Sequence, residues 1–215
     1  IRFPELNFNI ELIEKYKNDD LFEFIESPVD YGPATKFIAP WSKIKETEKD
    51  NLENTYLIVA DDDRTYRSYF IKLFNDQINT KKDWAWTGHS EILSKNSNPW
   101  FFLPFGADGY SIKCTWMDKL INWYNKIINI KPEGNHIFYH DDYIYGCFLH
   151  YNSIQVRDTQ KSSCHHNYVD DVSLTARMKK MGDNRGSSRN QRCFGAYQKL
   201  KKMLENTKED NEVKI

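Results

Sequence analysis

The 215-residue chain has no apolar run approaching the roughly 18 residues that a membrane-crossing helix needs, so no membrane span is expected. It carries almost no net charge. The 30 Lys and Arg against 31 Asp and Glu leave -1, which removes any whole-molecule field for gathering nucleic acid or an anionic surface. Its four cysteines, Cys114, Cys147, Cys164 and Cys193, form no CxxC pair and no short secreted framework. Reduced thiols in a cytoplasmic setting are the expectation. Residues 1–7 lack a basic stretch followed by an apolar one, so no signal peptide is expected there. Internal repeats and low-complexity tracts are also absent, and one large domain is the simplest organisation.

Against these absences stands an alternation of strand and helix patterns. Residues 56–60 (YLIVA) read as a buried central strand that runs into Asp61, Asp62 and Asp63. Phe70, Ile71, Phe74 and Ile78 then mark an amphipathic helix over residues 67–78. Residues 84–87 predict a strand, and residues 99–105, bracketed by prolines, an edge strand. Residues 116–130 carry the strongest helical pattern, with Pro132 as its stop. Residues 136–139 (HIFY) run into His140, Asp141 and Asp142, and a helix follows over about 143–150. The Gly-, Ser- and Arg-rich stretch 179–192 reads as a mobile loop, residues 194–204 as a last helix and 205–215 as a tail. Such alternation argues an α/β fold, in which ligands sit beyond the carboxyl ends of the strands. Both acidic clusters read as occupying such ends.

Five motifs carry chemistry. Three adjacent carboxylates at Asp61–Asp63 repel one another unless a cation or solvent compensates them. On an extended strand end, Asp61 and Asp63 share a side, and hard oxygen ligands suit Mn²⁺ or Mg²⁺ together with substrate phosphates. A solvated acidic turn is the bland alternative. In DYGPATK (residues 30–36), Gly32 allows close backbone approach, Pro33 opens a helix, and Lys36 can neutralise a diphosphate. A plain turn into a helix explains it equally well. In GADGY (residues 106–110), Asp108 can accept from sugar hydroxyls, unless the segment is simply a hairpin turn. Asp141 and Asp142 are candidates for a general base or a charge stabiliser, with helix capping as the alternative role. Finally, His165 in Cys164-His165-His166 can complete a metal shell. Arg185, Arg189 and Arg192 beyond it can clamp phosphate, although arginines in such segments are usually solvated.

The order of these motifs carries a resemblance. DYGPATK, followed some twenty residues later by YLIVADDD (residues 56–63), then GADG and HDD, resembles glycosyltransferases of the GT-A type encoded by large DNA viruses of algae. Domains that build chlorovirus capsid glycans belong to that family. The resemblance covers nearly the whole chain. It implies a single Rossmann-like GT-A domain over residues 1–204, with a mixed, mostly parallel central sheet flanked by helices. A nucleotide-sugar-binding half (about 1–105) would precede an acceptor-binding half (about 106–204), with residues 205–215 as tail or linker. It further implies a UDP-sugar donor, Mn²⁺ or Mg²⁺, a glycan or glycoprotein acceptor and, for a viral protein, the host-cell cytoplasm. By position, Asp30, Gly32, Lys36, Asp61, Asp62 and Arg185 would meet the nucleotide. Asp61, Asp63 and His165 would hold metal, and Asp108, Asp141 and Asp142 would face sugar and acceptor. The first strand of a GT-A domain is hard to find in residues 1–8.

Two other readings use the same residues. A phosphatase of the haloacid-dehalogenase type needs an apolar strand and then DxDxT, which Asp61 to Thr65 satisfy literally, with Asp61 as nucleophile. Thr87, Lys113 and the Asp141-Asp142 pair follow in the right order. About sixty residues precede the motif, however, and DYGPATK has no part in it. A non-catalytic carbohydrate-binding domain would use the 15% aromatic content but leaves the carboxylate clusters without a purpose.

Overall fold

Residues 10–61, 64–94, 101–159, 164–165 and 185–212 are described by the computed structural model. Chain contacts divide the protein into two units, Ile1–Asp30 and Tyr31–Ile215. In the first, α1 (Ile10–Tyr16) is followed by a turn that sets the Tyr16 and Phe22 rings 4.6 Å apart. Leu21, Phe22, Phe24, Ile25 and Val29 are exposed.

The second unit is built on a four-stranded sheet. Its strands are β1 (Tyr56–Val59), β3 (Ala85–Thr87), β6 (Tyr110–Lys113) and β7 (Val156–Asp158), in the order β1-β6-β3-β7. Two short ladders flank it. One joins β2 (Thr65–Tyr66) to β8 (Cys164–His165), the other β4 (Ser90–Ser94) to β5 (Phe101–Pro104). β6 pairs antiparallel with both β1 and β3, and only β3 and β7 pair in parallel. The sheet is therefore mixed rather than mostly parallel, which corrects the expectation. β1, β3 and β7 run the same way, with β6 reversed between them. β1 is also an edge strand, not a central one.

β6 is the strand without a clear signature in the sequence. Ser111 and Lys113 interrupt its apolar character, yet all four of its residues are buried. They are tolerated because each polar group has a partner. The Ser111 hydroxyl accepts the Trp86 N–H at 2.9 Å, and Lys113 meets Asp83 at 2.8 Å and Glu53 at 2.9 Å. Alternation along the strands sends residues to two separate cores. Val59, Ala85, Tyr110 and Ile112 join the larger, and Trp86 joins the smaller, with Tyr56 and Ile58 packed beside it.

Helices cover both faces. α4 (Phe70–Thr80) puts Phe70, Phe74 and Ile78 into the smaller core at i, i+4 and i+8. On the other face lie α2 (Thr35–Ile38), α5 (Met117–Ile127), α7 (Asp141–Tyr151) and α8 (Arg185–Glu212), while α3 (Trp41–Thr47) and α6 (Gly134–Ile137) are the remaining helices of this unit among the described residues. α7 is buried almost all round, from Tyr143 to Leu149. Gly146 lets it approach β5, since a Cβ there would lie 3.1 Å from Leu103 and 3.2 Å from the Phe102 carbonyl.

Three local expectations are corrected here. Residues 134–137 form a short helix, so the Asp141-Asp142 pair opens α7 instead of closing a strand. α8 begins at Arg185 and continues to Glu212, so the loop expected to reach Arg192 and the tail expected from residue 205 are both helical there. Cys193, Ala196, Tyr197 and Leu200, buried at i, i+3, i+4 and i+7, hold it to the core. Residues 179–184 lie outside the described ones. Among the described residues, no helix is long and apolar enough to cross a membrane.

Candidate active site

Pro33 sits inside a one-turn 3-10 helix, Gly32–Ala34, which leads directly into α2. Gly32 adopts φ 59°, and a Cβ there would lie 2.9 Å from the Phe138 ring and carbonyl. Its close approach is therefore satisfied within the protein. This turn aims Lys36, one helical turn on, across the end of β1.

There the ammonium group forms ion pairs with Asp61 and with Asp141, the latter at 2.9 Å. The Tyr110 hydroxyl donates to the same Asp141 oxygen at 2.5 Å, and Lys36 Nζ lies 5.9 Å from the Tyr110 ring centre. Burial alone would lower the Lys36 pKa, but the charges of Asp141 and Asp61 and their hydrogen bonds raise it above the ordinary lysine value. Burial also pushes the Tyr110 phenol well up, with the Asp141 charge adding to it. At neutral pH this is a protonated lysine and a protonated tyrosine converging on carboxylates.

The GADG segment reaches the same point. Gly106–Asp108 form a 3-10 turn before β6. A Cβ at Gly106 would stand 3.2 Å from one Asp61 oxygen, 3.3 Å from the other and 3.3 Å from Lys36 Nζ. Glycine thus lets this buried turn pack closely against that ion pair. Gly109, at φ 79°, instead serves packing, for a Cβ would meet the Phe70 ring at 2.7 Å. Tyr66 ties the two segments together. Its hydroxyl accepts the Asp61 N–H at 2.8 Å and donates to the Ala107 carbonyl at 3.2 Å. Asp108 is buried in this turn.

Asp141 and Asp142 occupy the first turn of α7, where the helix dipole favours negative charge. His140 holds the N-cap position but makes no side-chain cap bond. Asp142 is half-buried and accepts the Tyr143 N–H at 2.8 Å, one of the amides that a helix start leaves without an internal partner.

The structure thus gathers Lys36, Asp61, Gly106 and Asp141 from four separated motifs. Asp30 closes the first unit, whereas Lys36 and Asp61 belong to the second. Asp62 and Asp63 lie outside the described residues. His165 pairs with Thr65 in the β2–β8 ladder, so its backbone comes beside the chain just past the acidic run. Arg185 opens α8, and Arg192 on that helix lies 2.9 Å from His136 Nε2. Lys113 meets Glu53 and Asp83 at the Tyr56 end of the ladder, the far end from Asp61. Thr87 donates to the His89 and Gly109 carbonyls.

Among the described residues no three His, Cys, Asp or Glu side chains are gathered for a metal. At the β1 end the Asp61 carboxylate is paired with the Lys36 ammonium, and the two aspartates that follow it in the acidic run lie outside the described residues. Tyr66 and Tyr110 are the site residues that sequence reasoning missed as functional. Their signal was position, one following the acidic run and one closing GADGY. Comparison with family models, with curated proteins and with solved structures finds no match for this chain.

Proposed function

We propose that the protein is a metal-dependent glycosyltransferase of the GT-A type, moving a hexose or deoxyhexose from a UDP-sugar to a glycan or glycoprotein acceptor in the cytoplasm. The observation that carries this reading is the meeting of Lys36, Asp61, Gly106 and Asp141, which are far apart in sequence and come from the four motifs of the resemblance.

In this reading the acidic run takes Mn²⁺ or Mg²⁺, with Asp61 and Asp63 as its carboxylates and Asp62 toward the nucleotide. The bound cation supplies charge stabilisation for the departing diphosphate. Lys36 holds a fixed positive charge at the same edge, and Tyr110 fixes the Asp141 carboxylate to which it donates. Asp141 accepts both Lys36 and Tyr110 on one oxygen and is buried, so its role is positioning. Asp142, half-buried beside it, is the candidate general base for the acceptor hydroxyl.

The test is a melting curve with UDP and Mn²⁺ together and singly, followed by turnover of UDP-sugars. A ligand at a hundredfold excess over its dissociation constant adds about 2.7 kcal/mol of stability. The expected outcome is a shift only when both are present. Asp142→Asn should lower transfer by roughly a hundred- to ten-thousandfold with an unchanged melting shift. A melting temperature indifferent to UDP with Mn²⁺ would refute the reading.

A further inference from the structure

An open groove of about 410 Å³ lies between α8 and the chain that follows α5, and none of its lining residues belongs to the candidate active site. On α8 it is lined by Lys199, Lys202, Met203 and Asn206, which fall at i, i+3, i+4 and i+7 and so form one stripe along the helix. Ile130 and Lys131 line it from the other element. Ile130 is buried and Met203 is 57% exposed, so apolar surface in the groove is open to solvent. Around it stand three lysines. Lys199 meets Glu133 at 2.6 Å, and Lys131 donates to the neutral Asn135 side chain at 2.7 Å. Lys202 makes no ion pair or hydrogen bond among the described residues.

Such a groove suits an anionic occupant with an apolar face. The Asn129 and Ile130 N–H groups already donate to the Lys126 and Ile127 carbonyls, both at 3.2 Å. Recognition therefore falls to flexible lysine side chains. These suit the spaced carboxylates of a peptide better than a phosphate, which is usually cradled by backbone N–H groups at a helix start. The chain itself carries a peptide of this kind. From Asn18 to Thr35 it has five acidic residues, Asp19, Asp20, Glu23, Glu26 and Asp30, and no Lys, Arg or His. Set among them, Leu21, Phe22, Phe24, Ile25 and Val29 are between 43% and 89% exposed. Residues 22–27 belong to no helix or strand. A run of large apolar side chains held in water marks a surface meant for a partner.

We infer that residues 19–30 of one copy dock in the groove between Lys131 and Met203 of a second copy, so that the protein self-associates head to tail. The two surfaces complement each other twice over. Carboxylates meet the three lysines, and the exposed Leu and Phe side chains meet Ile130, Met203 and the lysine stems. Segment and groove are different patches, so each copy offers one of each, and the contact is heterologous. Repetition then gives rings or open chains rather than a two-fold dimer. The groove is small, which makes the association weak and transient. None of this depends on the transferase reading.

The test is sedimentation velocity on the whole chain at low salt, from micromolar to millimolar concentration. The wild type should associate as concentration rises, and added salt should weaken that association. A groove variant carries Lys131→Glu and Lys202→Glu, and a segment variant carries Asp20→Lys and Glu26→Lys. Each should associate at least about tenfold more weakly than the wild type. Mixed, the two should give a one-to-one dimer, because the first keeps an intact segment and the second an intact groove. That recovery separates lost docking from lost folding. Leu21→Asp and Met203→Glu, which leave every lysine in place, should repeat the pattern and carry the test if a charge-reversed variant does not melt like the wild type. A wild type that stays monomeric throughout overturns the inference. So does a groove or segment variant that associates as the wild type does, or a mixture that stays monomeric.

Discussion

Lys36 and Lys113 each hold two carboxylates, at opposite ends of the β1–β6 ladder, and the two clusters differ in what surrounds them. Around Lys36 the partners are sheltered, with Asp61 at 30% and Asp141 at 9% side-chain exposure. Around Lys113 the lysine is sheltered but Glu53 and Asp83 are 74% and 85% exposed. If either lysine is removed, the surroundings decide the cost. Exposed carboxylates turn to water, whereas sheltered ones are left close together with nothing to offset them. The Lys113 pairing closes off a strand end. The Lys36 pairing concentrates charge in a sheltered place, with Gly106 packed closely against it.

The largest effect should come from Lys36→Met. Breaking a buried pairing by removing one partner costs several kcal/mol, and the partial exposure of Asp61 reduces this to about 2–3 kcal/mol. For a unit of this size the melting temperature should fall by roughly 5–10 °C. An unchanged value would mean that the two carboxylates are already compensated without the lysine, and the contrast between the ends would collapse. Lys113→Met should matter less, lowering the melting temperature by less than about 3 °C, since its partners rehydrate. A drop as large as that of Lys36→Met would erase the comparison from the other side.

The smallest effect is a slope with pH. Folded Lys36 keeps its proton above the ordinary lysine pKa, so above that value the folded state binds more protons than the unfolded one. Its contribution is complete below about pH 10 and is lost as pH rises beyond, amounting to roughly half a kcal/mol by pH 10.5. Denaturant melts of wild type and Lys36→Met between pH 8.5 and 10.5 should show the wild type losing more stability over that range. Parallel curves would assign the alkaline loss to other groups.

Some of this was legible in the sequence, for identifiable reasons. β1, α4, α5 and α7 follow from apolar periodicity, because each buries one continuous stripe or run. The mixed α/β class follows from the alternation of those patterns. β6 was hidden because partners supplied by Trp86, Asp83 and Glu53 make buried Ser111 and Lys113 acceptable, and those partners are remote in sequence. Its reversed direction was hidden for the same reason. Residues 136–139 look like a strand and form a turn of helix, since four apolar or aromatic residues satisfy either period. At the site, the motifs named Lys36, Asp61 and Asp141, but not that the first would bind the other two. Pairing is a property of the fold. Tyr66 and Tyr110 carry no signal beyond their position next to the motifs, and their partners are supplied by the fold.

The reversal of β6 also bears on what kinds of sequence change this architecture can survive. Because β6 enters from the edge where β1 and β3 finish, five residues, Phe105 to Gly109, make the whole passage from β5 into the ladder. Adding or deleting one residue there would slide β6 by one position and exchange its two faces. Tyr110 would turn away from Asp141, and Lys113 would be driven into the apolar layer now filled by Ile112. Drift in residue identity within this passage can be graded, but a change in its length is all or nothing. Relatives of this chain should therefore vary in the length of other loops while holding the spacing from Gly106 to Lys113 fixed.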